Sequence, residues 1–212
     1  MATRSESKEN TRQLLLQAAR EAVAGQGSAA LSLRDVARRA GVVPSAIYRH
    51  FESRDALLTQ LILDAYTGLA ESVEEAASGS RSPASWRSAA QALRTWALRN
   101  QHEFLLIYGT PVPGYRAPDV TTAAAARVAA VFISSTPDSL ELPIDSALRE
   151  QLAAPAAEFG VSAERLAHAL ADVSQLVGAL ILELGGHFVG TADPADHLWD
   201  HILTAQSRRL AG

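Results

Sequence analysis

The spacing of apolar residues is the feature of this sequence that most restricts its fold. Apolar side chains recur at intervals of three and four residues, and no convincing segment alternates apolar with polar residues. Intervals of three and four place side chains on one face of an α-helix, whereas alternation is typical of a half-buried strand. The sequence therefore predicts an all-α protein.

Turn-forming residues divide this pattern into segments of helix length. The polar segment Ser78–Pro83 predicts a break between two regions, and the proline-rich segment Thr110–Pro118 predicts a loop. The expected helices cover about Ser7–Ala24, a short segment capped by Ser32 that ends near Gly41, Val43–His50, Arg54–Ala77, Ser85–Asn100, Gln101–Gly109, Val120–Ser134, Asp145–Ala154, a long segment from Ser162 to Val189, and a last segment from Asp193-Pro194 to Arg209.

Composition excludes several classes of protein. The chain has no cysteine, so disulfides, thiolate zinc sites and cysteine nucleophiles are excluded. The first 13 residues are polar and contain no secretory signal. The longest strongly apolar stretch, Leu176–Gly190, has 15 residues and contains Glu183 and His187, which makes it too short and too polar to span a bilayer. We expect a soluble, cytoplasmic protein.

The 212 residues carry a net charge of -4 that is unevenly distributed. Residues 1–58 hold nine basic and six acidic side chains, a balance of +3. Residues 59–212 hold ten basic and seventeen acidic side chains, a balance of -7. A basic amino-terminal region on an acidic body is consistent with a polyanionic partner for that region alone. Chance segregation of charge is the alternative.

The segment Leu31–Phe51 has the pattern of a helix-turn-helix. Two short helices flank Gly41, which tolerates the positive φ of a sharp turn, and Ala37 is small enough for the helices to cross closely. Such short helices cannot form a core by themselves, so the helices before and after them must hold them in place. The residues expected to point inward are Val36, Val42, Ile47 and Phe51.

The outward side of the third helix has the composition of a DNA-contacting surface. Ser45, Ala46 and Arg49 lie on the side that would enter a major groove. Hydroxyl, imidazole and guanidinium groups at its edges would contact phosphates, and they belong to Ser32, Tyr48, His50 and Arg54. A plain helical hairpin with solvated arginines is the alternative.

At these residues the chain resembles the TetR (tetracycline repressor) family of bacterial regulators. The resemblance runs from about Thr11 to Ala65, and its most specific part is Ile47–Phe51 followed by Ser53 and Arg54. It implies an amino-terminal DNA-binding domain, a helical effector-binding domain and a homodimer. It also implies phosphate contacts from Ser32, Tyr48, His50 and Arg54, and base contacts from Pro44, Ser45, Ala46 and Arg49. Pro44 would offer apolar contact to thymine methyl groups.

We accordingly expect a three-helix helix-turn-helix DNA-binding domain over residues 1–58, followed by a helical effector-binding and dimerisation domain over residues 59–212. The carboxy-terminal region resembles the family loosely, through its helix layout and Leu182–Phe188. The long helix from Ser162 has a stripe of small residues, and the last helix has an apolar face. Two such helices from each subunit would form a four-helix dimer interface. A monomeric core is the alternative.

The effector pocket is expected among the middle helices. An apolar lining with a few placed polar groups is typical of small-molecule sites. The candidate residues are Trp86, Trp96, His102, Phe104, Tyr108, Phe132, Glu183 and His187, with Leu93 and Leu176 as further apolar lining. Glu183 and His187 are equally expected to form a hydrogen-bonded pair in the dimer interface. The loop Thr110–Pro118 would form either a pocket mouth or a rigid surface loop.

An enzyme is the main competing function class. Glu183 and His187 are four residues apart, so they would share a helix face and bind a metal together with His102. No two-histidine zinc motif, phosphate-binding glycine loop or nucleophile elbow occurs in the sequence. We therefore predict no catalytic residues, no metal and no cofactor.

The sequence predicts a ligand-responsive transcriptional regulator. It would repress by holding a palindromic, double-stranded operator as a homodimer, and release it on binding an apolar or amphipathic small molecule, with no role at a membrane. The alternatives from other function classes are a helical small-molecule-binding protein and a metal-dependent enzyme, neither of which would bind DNA.

Overall fold

The computed structural model describes residues 4–77, 82–137 and 143–211. These residues form ten α-helices and no strand, which confirms the predicted all-α class. The helices are α1 (Arg4–Gln26), α2 (Leu33–Arg39), α3 (Pro44–Ile47), α4 (Arg54–Ala77), α5 (Pro83–Arg99), α6 (Gln101–Tyr108), α7 (Asp119–Ser135), α8 (Ser146–Phe159), α9 (Ala163–Leu184) and α10 (Asp196–Ala211). A single 3₁₀ turn, Ser28–Ala30, follows α1 within this described part.

The chain forms two compact units. The first unit comprises the residues up to Ala65 together with His102–Thr122, and the second comprises Tyr66–Gln101 and the residues from Ala123 onward. The first unit thus contains α1 to α3, the beginning of α4, and α6 with the loop that follows it. Most of the predicted break at Ser78–Pro83 lies outside the described residues, although Ser82 caps α5 by accepting a hydrogen bond from the Ser85 amide at 3.1 Å.

In the first unit, α1 and the start of α4 supply the core on which the short helices rest. α1 packs against α2, and α2 packs against α3. The fully buried side chains of α1 and α4 include Leu15, Ala19, Leu57 and Leu58. Helices as short as α2 and α3 are not stable alone, so this burial holds them in place.

The third helix is shorter than expected. The sequence predicted Val43–His50, but the α-helix ends at Ile47. Beyond it, the amides of Arg49 and His50 donate to carbonyls three residues earlier, at 3.1 and 2.9 Å. Hydrogen bonds of this spacing tighten the last turn into 3₁₀-like geometry. The predicted helical segment is therefore one α-turn followed by a tighter turn.

The second unit is built around α9. Helices α5, α8 and α10 all pack against it. One apolar cluster joins α7, α8 and α9 through Ile133, Leu152, Ala156, Leu166 and Ala169. By length and mean hydropathy α9 would be able to cross a membrane. In this structure 28% of its most apolar stretch is buried, and it also buries the charged side chains of Arg165 and Asp172.

The predicted end of α9 at Val189 is wrong. The helix ends at Leu184, because the backbone of Gly186 adopts a φ of 72°. The amide of His187 donates to the carbonyl of Leu182 at 2.9 Å, and that of Gly186 donates to the carbonyl of Glu183 at 3.0 Å. This pair of bonds is a Schellman motif, which satisfies the last carbonyls of a helix.

Two other predicted boundaries also differ. The last helix begins at Asp196 rather than directly after Asp193, and the Trp199 amide donates to the Ala195 carbonyl at 2.8 Å, which places Ala195 at the N-cap. α8 continues past the predicted end at Ala154, with Pro155 inside it, until Gly160 turns the chain with a φ of 66°.

Candidate nucleic-acid interface and sensor residues

The turn between α2 and α3 fixes the direction of the third helix. Gly41 has a φ of 68°, a conformation that side chains with a Cβ rarely adopt. The Val42 amide donates to the Ala37 carbonyl at 3.0 Å and the Gly41 amide donates to the Arg38 carbonyl at 3.2 Å. These bonds form a second Schellman motif, and the fully buried Ala37 lies at its start.

The buried side chains of this segment hold its outer side toward solvent. Ile47 is fully buried and Phe51 nearly so. These two side chains anchor the end of α3 and the tighter turn that follows it. Val36 is buried as predicted, while Val42 is half-buried. The predicted base-contacting residues Pro44, Ser45 and Arg49 are exposed, and Ala46 is half-buried beside them. Tyr48 is 61% exposed.

Ser32 and Arg54 have structural partners. The Ser32 hydroxyl caps α2 by accepting a hydrogen bond from the Asp35 amide at 3.2 Å. The Arg54 guanidinium donates to the carbonyls of Leu31, Ser28 and Ala29 at 2.9 to 3.2 Å. Arg54 thus joins the start of α4 to the 3₁₀ turn after α1. A phosphate contact from Arg54 would have to share the guanidinium with these carbonyls.

His50 is half-buried next to cationic side chains. Burial lowers the pKa of its imidazole, and the positive charges of Lys8, Arg12 and Arg49 lower it further, while Glu9 acts in the opposite direction. The surroundings of His50 therefore disfavour the charged imidazolium in the free protein. Its Nδ1 atom is buried and has no hydrogen-bond partner in the described part of the chain.

Three of the predicted sensor residues belong to the first unit. His102 is exposed at the mouth of a cleft of about 260 Å³, which α1, α4 and α6 line. Phe104 is fully buried, and its ring centroid lies 5.1 Å from that of the half-buried Tyr108. In the loop that follows, the hydroxyl of Tyr115 lies 2.9 Å from that of Thr59, so this loop is fastened to α4.

The other five belong to the second unit. Trp86 and Phe132 are fully buried and meet edge to face, with their ring centroids 6.3 Å apart. Trp96 is half-buried, and its Nε1 atom lies 3.4 Å from the position that a Cβ on Gly68 would take. Leu93 and Leu176 are buried core residues. Full burial of Trp86 and Phe132 is the environment of core side chains, and a ligand would need a cavity to open beside them.

Glu183 and His187 do not form the pair that their spacing suggested. Because α9 ends at Leu184, His187 lies beyond the helix and is exposed. The Glu183 carboxylate instead accepts two hydrogen bonds from Arg94, with Nε–Oε2 at 3.0 Å and Nη2–Oε1 at 2.7 Å. The shared helix face on which the metal hypothesis depended is therefore absent at these two residues.

Arg94 is the residue of this region that our sequence analysis missed. It is buried on α5, and its remaining nitrogen donates to Asp196 of α10 at 3.1 Å. The hydrogen bonds to Glu183 and then to Asp196 hold the pKa of Arg94 above its usual value. The sequence did contain a signal, because Arg94 occupies the same face as Trp86 and Ala90, four residues apart, where an apolar residue is expected.

Comparison with known proteins identifies the family. Residues 15–61 match the family described as bacterial regulatory proteins, tetR family. Residues 86–206 match the one described as tetracyclin repressor-like, C-terminal domain. The chain belongs to the TetR family. The helix-turn-helix, the second half of α1 and the start of α4 lie within the first match. Most of α5, all of α6 to α9 and most of α10 lie within the second.

Relatives of known sequence and structure agree with this assignment. The HTH-type transcriptional regulator Rv1816 of Mycobacterium tuberculosis is 40% identical over 137 residues, which cover 62% of this chain and 58% of that relative. The crystal structure of regulatory protein SCO4313 matches with a TM-score of 0.82 and 36% identity over 97% of this chain and 98% of that chain. A TetR family regulator from Marinobacter aquaeolei VT8, at 16% identity, shares the fold, with a TM-score of 0.67 over 97% of both chains.

Replacing Arg94 by methionine is expected to destabilise this TetR protein strongly. The variant would leave the Glu183 carboxylate half-buried without its partner, and breaking a buried pair costs roughly 3–5 kcal/mol. Replacing both Arg94 and Glu183 by methionine should recover much of that loss, because no unpaired charge remains. Urea unfolding of the variants measures the free energy of unfolding.

The matched control is Arg87→Met. Arg87 lies on the same helix and pairs with Asp200, but this ion pair is exposed. Its loss should change the free energy of unfolding by no more than about 1 kcal/mol. Equal effects of Arg87→Met and Arg94→Met would contradict the structural role assigned to Arg94.

Proposed function

We propose that this TetR family member is a ligand-responsive transcriptional regulator that binds a palindromic operator as a homodimer and releases it when a small molecule binds. The observation that carries the proposal is the exposed outer side of α3, which a glycine turn and a buried Ile47 hold in the geometry of a recognition helix. We further propose that it acts in the cytoplasm and has no catalytic activity.

DNA contact divides into base and phosphate contacts. Pro44, Ser45, Ala46 and Arg49 are placed to meet base edges, and the arginine is the residue that most often reads guanine in the major groove. Ser32, Tyr48 and His50 are placed to meet the flanking phosphates, with Arg54 as a further candidate. Phosphate contacts position the protein, whereas base contacts decide the sequence.

A homodimer would form through α9 and α10. One side of α9 presents exposed or half-exposed residues of small or moderate size, namely Leu170, Ala171, Ser174, Gln175 and Gly178. A Cβ added at Gly178 would meet no atom within 4 Å in a single subunit. A helix surface so open can approach a second helix closely, and two helices from each subunit would complete a four-helix interface.

Coupling between effector and DNA would pass through α6. Within the first unit, Arg20 of α1 forms an ion pair with Asp64 at 2.7 Å and approaches Glu103 of α6 at 3.7 Å. The Tyr115–Thr59 contact fastens the following loop to α4. An effector that binds more tightly to a conformer with α6 displaced would therefore also displace the helices that hold α3.

The division of the chain into a DNA-binding domain over 1–58 and an effector-binding domain over 59–212 also remains a proposal. Trp86, Trp96, His102, Phe104, Tyr108, Phe132, Glu183 and His187 remain the proposed effector contacts. Of the aromatic and polar members that lie in helices, His102 is exposed, and Trp96, Tyr108 and Glu183 are half-buried.

Arg49→Ala is expected to weaken binding to a duplex taken from the promoter of the protein's own gene. Loss of a base contact costs about 1–3 kcal/mol and relaxes the sequence preference at that position. Arg49 is exposed, so the melting temperature should stay unchanged. Fluorescence anisotropy with the promoter duplex and with a scrambled duplex measures both affinities.

Arg99→Ala, an exposed arginine of α5, serves as the matched control for loss of one positive charge. An Arg49→Ala variant that binds both duplexes as the parent protein does would exclude Arg49 as a residue that reads bases.

Gly178→Leu is expected to separate the subunits. A leucine would hold the paired helices apart, and such overpacking costs roughly 1–3 kcal/mol. Gly178→Ala should remain dimeric, because the methyl group does not fill the interface and alanine stabilises a helix by about 1 kcal/mol relative to glycine. Light scattering measures the mass of each variant, and anisotropy should show weaker promoter binding for the leucine variant alone. A dimeric Gly178→Leu variant with unchanged affinity would place the interface elsewhere.

A further inference from the structure

A cationic cleft lies between the amino-terminal part of α1 and the turn after α3. Lys8, Glu9 and Arg12 line it from α1, and Arg49 and His50 line it from the turn. Its volume is about 290 Å³. Three permanent cations therefore face one carboxylate, and we call this feature the α1–α3 cleft.

Arg12 is held in position at the base of the cleft. Its guanidinium donates to Gln60 Oε1 at 2.6 Å, and its central carbon lies 4.8 Å from the centroid of the Phe51 ring. Gln60 in turn donates to Asp64 at 2.7 Å. A cation held by a hydrogen bond and an aromatic face is already ordered, so binding an anion there loses less side-chain entropy.

The carboxylate in the cleft leaves the positive charge in excess. Glu9 accepts a hydrogen bond from the Gln13 side chain at 2.8 Å. It is also exposed, so water screens its charge. Burial is the main cause that lowers the pKa of the His50 imidazole, and Lys8, Arg12 and Arg49 lower it further while Glu9 acts in the opposite direction.

The unpaired ring nitrogen of His50 is the second feature of the cleft. Buried polar atoms in proteins are nearly always hydrogen-bonded. The Nδ1 atom of His50 is buried without a partner in the described part of the chain, and the residue lines the cleft together with three cations. The cleft therefore combines three cationic side chains with a buried imidazole nitrogen that has no partner, and a bound anion would complement both.

We propose that the α1–α3 cleft is an anion site for one backbone phosphate of duplex DNA, and that His50 takes up a proton from solvent when the phosphate is seated. This inference rests on the proposed function. It adds two residues of α1, Lys8 and Arg12, to the DNA-contacting surface, outside the helix-turn-helix itself.

A duplex phosphate fits the cleft better than a free anion does. Arg49 lines the cleft and also lies on the exposed side of the recognition segment, so a duplex that meets α3 passes the mouth of the cleft. A phosphodiester keeps a single negative charge over the range in which histidine titrates. Any change of affinity with pH that depends on His50 therefore reports the imidazole and not the phosphate.

The direction of the pH dependence follows from the charges. Burial, and then Lys8, Arg12 and Arg49, disfavour the imidazolium in the free protein, and Glu9 favours it. A phosphate neutralises part of the cationic field, so the pKa of His50 rises on binding. Binding then takes up a proton: affinity is highest below the pKa of the free protein, and it falls as the pH rises through the pKa of the complex.

The first test removes the charge of Lys8, the single lysine of the chain. Lys8→Gln should weaken binding to the promoter duplex roughly three- to tenfold at low salt, and reduce the slope of log affinity against log salt by about 1. Lys8→Arg should restore both values. The loss should be equal for promoter and scrambled duplexes, because a phosphate carries no sequence information.

Arg149→Gln is the matched control. It changes the net charge by the same amount, but Arg149 lies on α8 in the second unit, where it pairs with Glu164 at 2.8 Å. Unchanged affinity and salt slope are expected for this variant. A Lys8→Gln variant that binds with the parent affinity and salt slope would overturn the inference, while the proposed function would stand. A parent protein that binds neither duplex would overturn the proposed function itself.

The second test addresses His50. The affinity of the parent protein should fall between pH 5.5 and pH 8.5, whereas His50→Gln, which keeps a hydrogen-bonding side chain without a titrating ring, should lose most of that change. Glu9→Gln should strengthen binding at all pH values. An equal pH dependence in the parent protein and in His50→Gln would overturn the proton uptake.

A third arm separates a DNA phosphate from a free one. Reductive ¹³C-methylation labels Lys8 and the terminal amine, which provides a single side-chain signal from the cleft. We expect this signal to shift when duplex is added, with a midpoint that matches the one measured by anisotropy. A far higher concentration of inorganic phosphate should be required for the same shift. Saturation by millimolar phosphate with no shift on duplex binding would overturn the assignment to DNA.

Discussion

The positive φ of Gly41 is the constraint on which the DNA-facing surface depends. Glycine accepts this conformation without strain, and the Schellman bonds to Ala37 and Arg38 then fix the angle at which the chain leaves α2. That angle decides that Ile47 points into the core and that Arg49 points away from it. The outer side of α3 is therefore a consequence of a backbone turn and two buried residues, and four helical residues are enough to present it.

A buried ionic cluster has the corresponding role in the second unit. Arg94 joins α5 to Glu183 of α9 and to Asp196 of α10, at the ends of the two helices that we assign to the dimer interface. Such a cluster adds little net stability over an apolar replacement, because burying its charges costs nearly as much as their attraction returns. It does fix which residues of α5 and α9 meet, since a shift of α9 would leave the buried charges of Arg94 and Glu183 unpaired, whereas the Asp196 side chain is exposed. This fixed register accounts for a carboxylate in an otherwise apolar stretch of α9.

Sequence reasoning succeeded where the determining contacts are local. The bounds of α4, Arg54–Ala77, and the cap at Ser32 were predicted correctly, because caps and periodicity act within a few residues. The end of α9 was missed because the helix was extended to Val189, past Gly186, whose positive φ ends it. Arg94 was missed because its partners lie 89 and 102 residues away, beyond the reach of any local pattern. The sequence pattern also does not distinguish Trp86 from Trp96, because both lie in the same helix. In the structure Trp86 is fully buried, whereas Trp96 is half-buried.

The central claim is that α3 enters the major groove of duplex DNA. Methylation protection of guanine N7, an atom that faces the major groove, tests it most directly. We expect the protein to protect guanine N7 in two half-sites of its promoter, with centres separated by a whole number of helical turns of about 10.5 base pairs. Binding that leaves guanine N7 unprotected, or that protects only minor-groove adenine N3, would show that α3 does not enter the major groove.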